Sequence, residues 1–271
     1  MKKEMFLRQF PTEMEYEASK LYNSFEIAKE YSTVSYTEEF YTPGFWKKLT
    51  EKMDGVYIFT SGIFKDSDRR QIAFIPEEYS SYSGIDWEDR DKVLSSLEFP
   101  CRFLKIEINN RFREYEHKDF LGSLMGLNIR RELMGDLIIE NGTGYIPVSE
   151  KITDIILNGL SHIGKASCII KEIDILEEKI PEYRYDDKII VIPSRRLDSI
   201  VSAITDLSRT KVIEPIEKGK VLVDYLEEKD KSRNIEIGSL ITIKGYGKFK
   251  LFSGKGETRK GKERLLIRKY I

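Results

Sequence analysis

Residues 195–224 read RRLDSIVSAITDLSRTKVIEPIEKGKVLVD, and this stretch decides how the chain is parsed. Arg195-Arg196-Leu197-Asp198 opens a helix, and Ile200, Val201 and Ile204 recur on one face of it. Ser208 is a natural N-cap for a second helix. Arg209 and Lys211 then fall in that helix's first turn, where backbone N–H groups lack partners and the helix dipole favours an anion. Cations there oppose the dipole, so they make best sense if a phosphate completes the site. Pro215 lies inside the second helix, where it removes a backbone donor and can kink the chain. Gly219 ends the helix, and Val221 and Val223 begin a strand.

Downstream, residues 238–250 read GSLITIKGYGKFK. Leu240 to Lys244 forms a strand, Gly245-Tyr246-Gly247 a turn, and Lys248-Phe249-Lys250 a returning strand. A period of two sends Lys248 and Lys250 to one face and Phe249 to the other. The expectation is one cationic sheet face flanked by a helix N-terminus, with a basic strand closing the chain. Residues 188–271 carry 20 Lys and Arg against 11 Asp and Glu, while residues 1–187 carry 25 against 35. A basic end on an acidic body points to a local polyanion site.

The two quoted stretches resemble the small RNA-binding domain named after ribosomal small-subunit protein four, called S-four below. The RLD start, the SR-x-K helix opening and the G-K-V-x-V strand match in order and spacing. The resemblance implies RNA contact at Arg196, Arg209, Lys211, Lys218, Lys220, Lys244, Lys248 and Lys250. Pro215 departs from the pattern and bears on the aim of Lys218. Exchanging Arg209 and Lys211 for glutamate is then expected to abolish RNA binding without unfolding the chain.

Working further upstream, residues 117–139 (HKDFLGSLMGLNIRRELMGDLII) and 144–168 (GYIPVSEKITDIILNGLSHIGKASC) are similar to the YlmH family. That family joins an N-terminal domain, a middle RNA-binding domain and a C-terminal S-four domain. The resemblance implies a factor of the large ribosomal subunit, contacting ribosomal RNA and peptidyl-tRNA in quality control of stalled nascent chains. It also implies an older link to cell division.

The residues of this region read independently of the resemblance. Cys101 to Ile108 is a strand and Lys118 to Leu127 a helix, ended by Asn128 in a left-handed turn. Gly135 to Glu140 and Gly144 to Val148 are strands joined by Asn141-Gly142. Ser149 caps a helix from Glu150 to Ile163, with Ile152, Ile155, Ile156 and Leu160 on its apolar face. Ala166 to Ile175 is a further strand, residues 177–187 a linker, and Lys188 to Pro193 a strand leading onward. Arg130 and Arg131 sit at an exposed bend and are candidates for a second RNA contact.

The first 80 residues read as a helix from Thr12 to Tyr31, capped by Thr12, with Met14, Ala18, Leu21, Phe25 and Ala28 on one face. Pro43 opens a short helix carrying Phe45, Trp46 and Leu49. Val56 to Phe59 pairs with Gln71 to Ile75. Aromatic residues here (Tyr16, Tyr22, Tyr31, Tyr36, Phe40, Tyr41 and others) could stack on bases, but helical spacing assigns most of them to the core. A domain boundary is expected between Pro76 and Asp86, with the second unit starting near Trp87.

The chemistry-bearing residues are sparse. His117 and Asp119 are read as helix caps rather than acid–base machinery. Cys101 and Cys168 are read as buried thiols, and no paired spacing suggests a zinc site. No nucleotide-binding glycine motif is present. An RLD motif also serves catalysis in pseudouridine synthases. Here it runs straight into the helices, so Asp198 is read as a helix-start acid pairing with Arg195 or Arg196. No apolar run approaches membrane-spanning length, and residues 1–10 lack a signal core. The expectation is therefore an α+β chain of three units, at residues 1–80, 87–180 and 188–271. It is expected to be cytoplasmic, ribosome-associated, monomeric and noncatalytic, with RNA as partner and no cofactor, metal, membrane or small-molecule substrate. An RNA-modifying enzyme with an S-four targeting domain and a cell-division-linked protein-interaction factor are the alternatives.

Overall fold

A computed structural model describes residues 1–79, 89–109, 114–175 and 177–271. By contacts they form two compact units, Met1–Glu182 and Tyr183–Ile271. The expected boundary lies mostly outside the described residues, as does Trp87.

The first unit begins with helices α1 (Lys3–Leu7) and α2 (Glu15–Tyr31). Met14 is the N-cap of α2 and makes no side-chain cap bond; Thr12 is instead the first residue of a separate 3-10 turn, Thr12–Met14. The Thr12 cap is thus corrected: Pro11 directs the chain into a 3-10 turn before the α-helix begins. The predicted apolar face of α2 is buried in full. It packs on an antiparallel sheet of β1 (Ser35–Tyr36), β2 (Lys52–Met53), β3 (Val56–Ser61) and β4 (Gln71–Pro76), ordered β1-β4-β3-β2. Every residue of β4 is buried, and Phe25 meets Phe74 edge-on at 6.2 Å. Burial of each such side chain contributes roughly 1.5–3 kcal/mol. The helix opened by Pro43, α3 (Pro43–Trp46), ends before Leu49. Tyr22, Phe25, Phe40 and Tyr41 are core, whereas Tyr16 and Tyr31 are exposed.

The same unit continues through α4 (Arg90–Ser96), β5 (Cys101–Ile108), α5 (His117–Met125), β6 (Ile138–Glu140), β7 (Thr143–Ser149), α6 (Glu150–Gly159), β8 (His162–Ile163) and β9 (Ala166–Glu172). Its second sheet runs β6-β7-β5-β9-β8. Asp119 caps α5, its carboxylate accepting from the Glu116 N–H at 2.9 Å, while exposed His117 takes the first helical position and not the cap. Asn128 and Asn141-Gly142 adopt the expected positive φ. Ser149 caps α6, which stops at Gly159 because residues 162–163 are drawn into a hairpin with β9. Ile155 is correspondingly off the apolar face and half exposed. Cys101 and Cys168 are partly rather than fully buried. Burial nonetheless pushes the Cys101 thiol up to about 12.

β6 starts three residues later than expected because Asp136 has another task. Its buried carboxylate accepts from the backbone N–H groups of Asp68 (2.6 Å) and Arg69 (3.1 Å). This bond ties the first sheet's β3–β4 loop to the second sheet. Phe64 packs on Phe103 at 5.5 Å, and Ser149 donates to Glu38 at 3.0 Å. The two sheets therefore share one compact unit; their division into two folding domains stands as a proposal.

The second unit holds β10 (Tyr185–Ile192), α7 (Leu197–Thr205), α8 (Arg209–Glu217), β11 (Val221–Val223), β12 (Leu226–Glu227), β13 (Leu240–Ile243), β14 (Gly247–Glu257) and β15 (Glu263–Tyr270). The sheet order is β10-β15-β14-β13-β11-β12, antiparallel throughout. β10 begins inside the expected linker, since its partner β15 extends it back to Tyr185 opposite Tyr270. Leu197, Ile200, Val201, Val212 and Ile216 from the helices pack on Ile190, Val221, Ile241, Leu251 and Ile267 of the sheet. Pro215 is accommodated within α8, and the Lys218 N–H still reaches the Glu214 carbonyl at 3.0 Å.

Replacing Asp136 by alanine strips the acceptor from two backbone donors, a loss of roughly 1–3 kcal/mol. Asn retains an oxygen and should cost less. Urea unfolding of the two variants beside the parent measures this order; a parental midpoint for Asp136→Ala would show that the carboxylate holds nothing together.

Candidate nucleic-acid interface

Two backbone bonds fix where α7 starts. The Leu197 N–H donates to the Arg233 carbonyl (2.9 Å), and the Asp198 N–H to that of Lys231 (3.1 Å). Asp198 is thereby held in a buried position at the helix start. It accepts from Arg196 Nε (3.1 Å) and Nη2 (3.2 Å), and from Arg209 Nη2 at 3.5 Å. Arg209 also contacts the Ser199 hydroxyl. One carboxylate thus draws together guanidinium groups from two helices. Burial pushes the Asp198 carboxyl up, but the Arg196 hydrogen bond and the charges of Arg209 and Arg196 outweigh it and hold it below the usual range. Arg195 does not take part: it forks onto Glu263, with Nε at 2.8 and 3.0 Å from the two oxygens.

Ser208 caps α8 as expected, accepting from the Lys211 N–H at 3.4 Å. The Lys211 ammonium is exposed and makes no ion pair or side-chain hydrogen bond among the described residues. The same is true of Lys220 and Lys244. Lys244 N–H donates to the Lys220 carbonyl (3.0 Å), one step beyond the Val221–Ile243 pair, so these two cations face each other across strand ends. Like charges in that relation are unfavourable until an anion bridges them. Lys218 turns back onto Glu214 at 2.5 Å.

The eight cations do not form one site. Phe249 and Leu251 join the core under the helices, so Lys248 and Lys250 lie on the opposite face of the sheet. The expectation of one cationic sheet face flanked by the α8 N-terminus is corrected on this point: alternation separates the Arg196–Arg209–Lys211 cluster from Lys248 and Lys250. Lys248 sits 3.9 Å from the Tyr270 ring centre.

In the first unit, Arg130 pairs with Glu39 at 3.3 Å, and Lys20 shares that carboxylate at 3.2 Å. Arg131 donates to the Met134 carbonyl. Both arginines are tied into the fold beside a 3-10 turn, Arg131–Leu133. The sequence reading passed over the tip of the β14–β15 hairpin, where Lys255, Arg259, Lys260 and Lys262 are exposed without ion pairs among the described residues. The run GKGETRKGK was the available signal.

Fold and charge define a class at this point: an α+β protein presenting exposed, unneutralised cations suited to a polyanion. Residues 95–177 match the family described as "Putative RNA-binding domain in YlmH". The chain is 26% identical over 205 residues to the "Ribosome-associated protein quality control protein P2" of Bacillus subtilis (strain 168), spanning 76% of this chain and 75% of that protein. A solved structure, the cell division protein ylmH from Streptococcus pneumoniae, is similar at 22% identity and a TM-score of 0.46, covering 62% of this chain and 96% of that one. No helix among the described residues is long and apolar enough to cross a membrane.

The depressed Asp198 carboxyl sets a pH signature. Its stabilising contribution is complete above the unfolded-state value, about 3.9, and is lost as pH falls through the lower folded value. Asp198→Asn is expected to be less stable than the parent at pH 7, with the gap closing below about pH 4. Thermal melts across that range test it, and a gap independent of pH would remove the ion-pair explanation.

Proposed function

We propose that the chain is a noncatalytic RNA-binding factor of the ribosome. Its C-terminal unit acts as an S-four domain that grips structured ribosomal RNA on the large subunit, and peptidyl-tRNA, during quality control of stalled nascent chains. On this reading it works as a cytoplasmic monomer, without cofactor. The observation that carries it is the distribution of free charge. The matched domain, residues 95–177, has 10 Lys and Arg against 13 Asp and Glu. Several of those cations are paired: Arg102 with Glu150, Lys105 with Glu178, Lys171 with Glu107. The second unit holds its cations exposed and open, at Lys211, Lys220 and Lys244. The kinship with a protein named for ribosome-associated quality control supports the ribosome as the setting.

The mechanism is electrostatic. Phosphate contacts release counterions and set orientation, while the shape of folded RNA supplies selectivity. Asp198 acts inside the protein by aiming Arg196 and Arg209, so Arg209 has a structural role besides any contact with RNA. Charge reversal at Arg209 would set a carboxylate beside Asp198 and confuse folding with binding. The cleaner variant is Lys211→Glu/Lys220→Glu/Lys244→Glu. With purified large ribosomal subunits, the parent is expected to co-sediment in low salt and dissociate as salt rises. The triple variant should bind more weakly and with a shallower salt slope, by roughly one unit per lost phosphate contact. Undiminished co-sedimentation of the triple variant would refute this contact surface.

A further inference from the structure

The open face of the second unit's sheet carries a ladder in which rings and cations alternate. Lys248 lies 5.7 Å from the Tyr225 ring centre and 3.9 Å from that of Tyr270. Tyr270 meets Tyr185 edge-on at 5.1 Å. The Arg268 guanidinium stands 5.2 Å from the Tyr185 ring centre and 3.5 Å from that of Phe252. The helices cover the other face, so this ladder is a separate surface from Arg196, Arg209 and Lys211.

Two features show that the ladder is built at a cost. Phe252 is the extra residue of a bulge between the Leu251–Ile267 and Ser253–Leu266 pairs, and it is 36% exposed. A bulge re-aims a side chain and interrupts pairing, and here it holds a phenyl ring in solvent. Tyr225 sits with Asp224 in the two-residue turn between β11 and β12, at φ +72° and +51°. Such a turn favours Asn-Gly. Tyrosine in the left-handed region is strained, and strain of this kind collects at binding sites. Its ring and hydroxyl meet Lys248, the hydroxyl at 3.3 Å.

Charge identifies the occupant. The ladder runs along β14 into the hairpin tip, where Lys255, Arg259, Lys260 and Lys262 stand exposed without ion pairs among the described residues. The tip itself is ordered: Thr258 N–H donates to the Lys262 carbonyl (2.8 Å) and Gly261 N–H to that of Thr258 (2.9 Å). Exposed Phe252 and half-buried tyrosine rings interleave with Lys248 and with Arg268, which Asp187 pairs at 3.3 Å, and they lead into a cationic tip without ion pairs among the described residues. The combination matches the chemistry of a single strand, whose bases are free to stack while its phosphates need neutralising.

We infer that this face is a second RNA site, which takes an unpaired segment of RNA by stacking bases on Phe252 and Tyr225 while the hairpin tip holds the phosphates. It deepens the RNA-binding reading and rests on it. The whole chain is tested against two labelled probes, an oligoadenylate of about twelve nucleotides, within the usual range for such sites, and an RNA stem-loop. Phe252→Ala/Tyr225→Gly is expected to weaken the oligoadenylate about tenfold or more and leave the stem-loop unchanged. Tyr225→Gly relieves backbone strain, so circular dichroism and melting should report an intact fold. Phe252→Trp should keep the affinity, and the added indole emission should be quenched by the oligoadenylate. Lys211→Glu, on the helix side of the sheet, is expected to show the opposite pattern. A parent that binds the stem-loop but not the oligoadenylate, or a double variant that binds both probes normally, overturns the second site and leaves the proposed function standing. Failure of the parent on both probes removes the two together.

Discussion

Helices α7 and α8 pack on one face of a six-stranded sheet and leave the other without a helix of this unit, and this one-sided packing governs the second unit. With a period of two along each strand, every residue between two core positions must point outward. Phe249 and Leu251 go under the helices, and Lys248 and Lys250 have only the open face left. The same rule places Arg268 and Tyr270 outward on β15, between the buried Leu265 and Ile267 and the chain end. A one-residue slip in the β14–β15 register would drive lysines into the core, so the arrangement of charge is as strongly specified as the core.

The layer of helices solves a different problem. Two arginines belonging to separate helices would repel each other at close range, and buried Asp198 reconciles them. The result is a helix-side cluster whose cations are aimed but partly neutralised, while Lys211, Lys220 and Lys244 make no ion pair among the described residues. The proposed function rests on that contrast. Paired charges in the first unit, such as Arg130 with Glu39, fasten elements together; those of the second unit that make no ion pair among the described residues are the proposed contacts.

Much of this was legible in the residues, for identifiable reasons. Local signals worked where the cause was local: Ser208 and Ser149 as caps, Asn141-Gly142 and Gly219 as left-handed turns, and the α2 core face. They failed where a distant partner decides. β10 reaches back to Tyr185 only because β15 pairs with it, and β6 is shortened because Asp136 answers N–H groups of Asp68 and Arg69. The sequence put these cations on one surface, whereas the α8 N-terminus and the outward Lys248 and Lys250 lie on opposite sides of a layer the sequence does not display. The hairpin tip went unread because its charges carry no periodicity. The Tyr225 turn was hidden because Asp-Tyr is not a turn signal.

The central claim is that RNA is held by the second unit rather than by the matched middle domain alone. Ultraviolet cross-linking of the chain to large ribosomal subunits, followed by mass spectrometry of nucleotide-bearing peptides, tests it most directly. Adducts on peptides from residues 196–250 and from the β14–β15 hairpin are the predicted result. Adducts confined to residues 95–177 would contradict it.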